Sequence, residues 1–166
     1  MNRSWIGWFM YNITDLICKK IMKHRWLIYL LNYTWGIITT LIGWLIYIFC
    51  LLFLKKYITE KGKFMHCHYI RIFNHWGGWE MGINFLCDTS SSELIKYHEC
   101  GHTIQNALYG PLFIIIIWIP SAIRYWFREF QIRKGKKLKE YDAIWFEGSA
   151  SDLGKYYYDN FKKYYL

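Results

Sequence analysis

The sequence predicts an α+β protein in which one apolar helix precedes a small mixed domain. Three observations carry this expectation. Residues 26–54 contain no charged side chain, although Arg25 and Lys55 flank them. Residues 64–87 read as two strand-like runs separated by a glycine pair. The remainder alternates apolar stretches with helix start and stop signals. At 166 residues, the length allows one domain and one further segment.

Residues 1–25 place Trp5, Ile6, Trp8, Phe9 and Met10 ahead of a cluster of Lys19, Lys20, Lys23 and Arg25. This pattern fits an amphipathic helix at a membrane interface and equally a helix packed on the rest of the protein. Residues 26–54 exceed the ~20 apolar residues that cross a bilayer. The run starts too late and ends without the small-residue cleavage site of a signal peptide. It is expected to form a single transmembrane helix, with tilt or a frayed start near Asn32 and Gly36.

Composition agrees with a membrane location. Aromatic residues make up 22% of the chain, and Trp and Tyr favour the membrane–water interface. Coding bias toward Ile, Lys, Tyr, Asn and Phe is the alternative source of this composition. The formal charge of +9 lies beside apolar segments, as juxtamembrane charge does, and no nucleic-acid module is visible. Five cysteines without a CxxC pair argue against a disulfide scaffold.

From Lys55 onward a metal-binding domain is expected over residues 55–166. Strands at 64–73 and 79–87 would reverse at Asn74-His75-Trp76-Gly77-Gly78. Ser90 and Glu93 have the spacing of a reciprocal helix cap, so a helix is expected over 91–108, ending at Gly110-Pro111. The apolar run after Pro111 ends at Pro120, and a second helix follows over 121–134. The basic loop from Lys136 to Lys139 leads to a third helix over 141–153, closed by Gly154.

The chemical signal is His98-Glu99-Cys100-Gly101-His102. Residues four apart share a helix face, so both imidazoles can reach one cation, with Glu99 beside it to take a proton from water. Catalytic zinc generally takes three protein ligands and keeps one position open. Among the downstream acids, Glu147 lies between apolar residues with no adjacent base. Glu129 has Arg128 and Arg133 as simple partners. Burying an unpaired carboxylate is costly, which favours Glu147 as the third ligand.

The motif, with Gln105, Tyr109-Gly110-Pro111, the Ile119 to Arg124 stretch and Trp145-Phe146-Glu147-Gly-Ser-Ala150-Ser151, resembles a family of small bacterial membrane proteins carrying HExGH. More distantly it resembles the gluzincin peptidases, which include thermolysin and HtpX-like membrane peptidases. The resemblance implies a zincin-like domain that binds Zn2+ through His98, His102 and Glu147, with Glu99 as general base in hydrolysis of a peptide or protein substrate. In the HtpX-like group the third ligand begins an E-x-x-A-D pattern. Here Ser151 replaces the Asp, which in that group orients a ligand histidine. A zinc-binding protein without catalysis, or a metal-free membrane interaction module, is the alternative.

If Glu147 joins the two histidines, residues 112–127 should not cross the bilayer, so they are expected to be a core or re-entrant segment. Lys and Arg clustered between Arg124 and Lys139 place the metal domain on the cytoplasmic side of a cell membrane. His66 and His68 share a strand face, with Cys67 opposite. A second metal site there is conceivable, but surface histidines are favoured. His75 lies in the expected turn and could reach substrate. Cys100 reads as a small packing residue, with a thiol that could also meet the metal. Trp76, Trp79, Trp118 and Trp126 read as interface or core residues.

Overall fold

A computed structural model describes residues 4–136 and 143–165. It shows an α+β fold with six α-helices and one four-stranded sheet. The helices are α1 (Trp5–Lys23), α2 (Arg25–Tyr33), α3 (Ile37–Phe53), α4 (Leu94–Tyr109), α5 (Ile119–Arg133) and α6 (Trp145–Phe161). The strands are β1 (Ile58–Phe64), β2 (Cys67–Ile72), β3 (Gly78–Met81) and β4 (Asn84–Cys87), in the order β1-β2-β4-β3.

The expected single transmembrane helix over 26–54 does not form. No described helix is long and apolar enough to cross a membrane alone, and α2 and α3 meet at 86°. The break is a buried polar junction. The Asn32 side-chain amide donates to the carbonyls of Ile28 and Thr103, and its oxygen accepts from Asn106 at 2.7 Å. Asn106 in turn accepts from the Thr39 hydroxyl, and the Thr40 hydroxyl donates to the Asn32 carbonyl. Burying these groups without partners would be costly, so they fold the apolar run over α4 instead of extending it.

The sheet also differs from the expected hairpin. The run 64–73 contains the turn from β1 into β2, and the run 79–87 is itself a hairpin reversing at Gly82, where φ is +67°. Strand β4 lies between β2 and β3, parallel to β2 and antiparallel to β3. The glycine pair therefore belongs to a wide crossing rather than a tight turn. Its positive-φ residues are Phe73, His75 and Gly77. Asp88 fastens this crossing by accepting from the Gly77 N–H at 2.9 Å, while also accepting from the Ser90 hydroxyl.

One face of the sheet packs on α3 through Cys50, Ile70, Ile72 and Leu86. The other covers α4, with Phe85, Cys100, Ile104, Leu153 and Tyr157 in the main core. The expected cap at Ser90 and Glu93 is not made, because Glu93 is engaged elsewhere. Arg71 contacts Glu60 and Glu93 at 3.0 and 2.7 Å, and Lys96 contacts the same two acids. This network joins β1 and β2 to the start of α4, which begins at Leu94. Its other end stops at Gly110, with φ +53°, as expected.

After a short 3-10 turn, Ile114–Trp118 form a π-helix that runs into α5. The Ile119 N–H donates to the Ile114 carbonyl, a spacing that accommodates the following Pro120, whose ring crowds the preceding turn. The chain bends by 114° between Leu112 and Ile114, before the π-helix. The expected helix start at Tyr141 and the basic loop fall largely on residues outside those described. Helix α6 continues through Gly154 rather than closing there. A Cβ at Gly154 would lie 1.8 Å from the Tyr97 carbonyl oxygen, so this glycine permits helix contact instead of capping.

Among the described helices, α1 and α3 have inverted polarity, and α5 exposes large apolar residues. Helix α1 buries Gly7, Thr14, Cys18 and Met22 while Trp5 and Ile6 are 75% and 68% exposed. Helix α3 buries Thr39, Thr40, Gly43 and Cys50 and exposes Leu45, Leu52 and Phe53. Helix α5 has no buried residue, and Ile123, Trp126 and Phe127 are exposed.

Candidate metal centre

The two histidines lie one turn apart on α4, on the face opposed to α6. Small residues at the crossing bring the helices together. A Cβ at Gly101 would stand 1.9 Å from the Ala150 carbonyl oxygen. This close approach carries Glu147, on the first turn of α6, to the imidazoles. His98 Nε2 is 3.0 Å from Glu147 Oε2, His102 Nε2 is 3.3 Å from the same oxygen, and the two Nε2 atoms are 3.1 Å apart. Ligands at 2.0–2.1 Å around a tetrahedral zinc stand ~3.3 Å from one another. The three donors fit a metal ion of that size, and these residues could hold one.

The surrounding hydrogen bonds set the ligand atoms. The Gln105 amide donates to the Phe146 carbonyl at 2.9 Å, which turns its oxygen toward His102 Nδ1 at 2.8 Å. His102 therefore donates through Nδ1–H and leaves a lone pair on Nε2, the tautomer a metal requires. His98 Nδ1 is 2.8 Å from the Ser151 hydroxyl, so the serine occupies the orienting position at which the resemblance places an Asp. The Ser121 hydroxyl donates to Glu147 Oε1. Burial pushes the Glu147 carboxyl upward, but hydrogen bonds and charge from His102 and His98 outweigh it and hold the group below its ordinary value.

Glu99 is on the same helix, buried to 4% exposure, and faces the glycine that starts β3. A Cβ at Gly78 would fall 2.2 Å from Glu99 Oε1. Burial pushes Glu99 up to about 8; His102 opposes this, while Glu147 and Cys67 add to it. All four residues line one cavity of about 800 Å³. Its far wall is α5, with Ser121, Ala122, Tyr125 and Trp126, and Trp76 and Trp79 form the wall by the edge strand. Trp79 stacks on Trp118 with centroids 5.6 Å apart.

The structure thus brings together all four residues expected at the site. Glu129 and His75 are not among the residues lining the cavity. Ser121 was missed, since a serine following a proline carries no metal-site signal. Cys100 faces away from the histidine pair, toward His66. Comparison of the chain with protein families, curated proteins and solved structures finds no match.

Proposed function

We propose that this chain is a membrane-associated zinc metallopeptidase with a gluzincin-like ligand set. The observation that carries the reading is the convergence of His98, His102 and Glu147 on one point, with Glu99 opening on the same cavity beside the edge strand β3. A zinc ion held there would supply Lewis acidity, polarising a carbonyl and making water a stronger acid. Glu99 takes the proton from the attacking water and hands it to the departing amine. Burial raises the proton affinity of Glu99, which strengthens it as a base toward water. His102 and His98 are held in ligating orientation by Gln105 and Ser151, and Ser121 fixes the second oxygen of Glu147.

Strand β3 is the sheet edge on the cavity side, so an extended peptide can add to it by backbone pairing. The aromatic walls favour apolar side chains next to the cut bond. Membrane association rests on the inverted helices. Small and hydroxyl-bearing residues face the protein interior and large apolar ones face outward, the arrangement of helices solvated by lipid. A broken α2–α3 pair would then embed without a straight span, and α5 would lie against the bilayer as a re-entrant or interfacial piece. The basic residues around α5 favour the cytoplasmic face.

The function is tested with purified full-length protein in detergent and a library of apolar peptides. Cleavage that stops on chelation and returns with zinc supports the reading. Absence of cleavage by zinc-loaded protein overturns it.

A further inference from the structure

The face of α4 opposite the histidine pair carries a second set of metal-type side chains. Cys100 Sγ is 3.9 Å from His66 Nδ1, and Cys67 Sγ is 3.3 Å from the Thr103 hydroxyl. One ligand atom each from His66, Cys67 and Cys100 lie within 4.8 Å of one another. Sulfur and nitrogen ligands around a tetrahedral zinc stand ~3.6–3.8 Å apart, so little movement is required. All three residues are buried, at 2%, 0% and 0% exposure.

Two buried polar groups around the cluster lack hydrogen-bond partners. His66 Nε2 is buried without a hydrogen-bond partner. The nearby Glu80 carboxyl is buried at 3% exposure, and neither oxygen has a partner of normal hydrogen-bond geometry. Two thiolates would neutralise a divalent ion, which makes the pair far cheaper to bury than an isolated charge. His66 and Cys67 belong to the turn after β1 and the start of β2, where Met65 takes a φ of +55°. Tyr157 of α6 closes over His66 at 5.2 Å between centroids.

We propose that His66, Cys67 and Cys100 form a second, buried site for a soft divalent ion such as zinc, which staples the β1–β2 turn to the back of the metal-centre helix. None of the three ligands lines the cavity, although the neighbouring Glu80 does, and the role of the site is structural. It stands independently of the peptidase reading, because it shares no ligand with His98, His102 or Glu147.

Cobalt is the probe. Full-length protein in detergent, loaded with Co2+, should bind two ions per chain and show a near-ultraviolet thiolate-to-cobalt band. Glu147→Ala should lose one ion and keep the band. Cys67→Ser and Cys100→Ser should each lose the band and one ion. Absence of the band in the wild type overturns the proposal, whether or not the serine variants fold. So does a band that survives both cysteine substitutions, or a site that takes only monovalent copper.

Discussion

The hydroxyl of Ser151 lies 2.8 Å from Nδ1 of His98, one turn beyond Glu147 on the same helix. Helix α6 therefore carries one candidate metal donor and the partner of another. Removing this contact with Ser151→Ala should weaken zinc binding by about 10- to 100-fold, the usual effect of losing an orienting partner. Competition against a chromophoric chelator measures it. Unchanged affinity would show that packing alone fixes the His98 ring.

The Ser121 hydroxyl fixes the other oxygen of Glu147 and ties α5 to the metal centre. Ser121→Ala should lower zinc affinity by about tenfold, at the weaker end of such effects. It should also leave the fold intact, because α5 buries no side chain. Zinc titration alongside circular dichroism separates the two outcomes.

Gly101 has no room for a methyl group, since its Cβ would sit 1.9 Å from the Ala150 carbonyl oxygen. Gly101→Ala should push α4 from α6 and destabilise the protein by about 3 kcal/mol, the upper part of the usual overpacking range. Zinc affinity should fall with it, because the helix separation sets the distance to Glu147. Thermal denaturation in detergent is the measurement.

Much of this site was legible in the sequence, and for local reasons. Two histidines four apart must share a helix face, so His98 and His102 could be named from spacing alone. An acid among apolar residues needs a partner, which favoured Glu147, but its naming rested mainly on the family resemblance. The sheet was harder. Both expected strands contain a turn, because the two-residue links at Met65 and Gly82 leave almost no compositional trace. Placing β4 between β2 and β3 is a long-range choice. The break at Asn32 was hidden by charge counting, which sees no charge in 26–54. It misses that Asn106 donates to Asn32 across 74 residues and accepts from Thr39, while Thr40 donates to the Asn32 carbonyl.

That junction gives a further expectation. Asn32→Leu would strand the Asn106 amide in the core and should cost about 1–3 kcal/mol, the penalty for a buried polar group without its partner. A lowered denaturation midpoint with unchanged peptide cleavage at low temperature is expected, because Asn32 is not among the cavity-lining residues.

Asp88 sets an acid limit on stability. Its burial pushes the carboxyl up, but hydrogen bonds from Gly77, Ser91 and Ser90 outweigh this and hold it at about 2, against an ordinary 3.8. A depressed carboxyl contributes fully above its unfolded value and loses that contribution as pH falls through the folded one. Stability should therefore drop between about pH 4 and 2, and Asp88→Asn should flatten that part of the profile. Denaturant midpoints across this window check it.

The most direct measurement compares peptide hydrolysis by zinc-loaded wild type and Glu99→Gln at matched zinc content. Loss of a general base typically costs 10²–10⁴-fold, so cleavage by the variant should fall at least ~100-fold while its zinc stays bound. Equal rates in the two proteins would contradict the proposed role of Glu99 and the peptidase reading built on it.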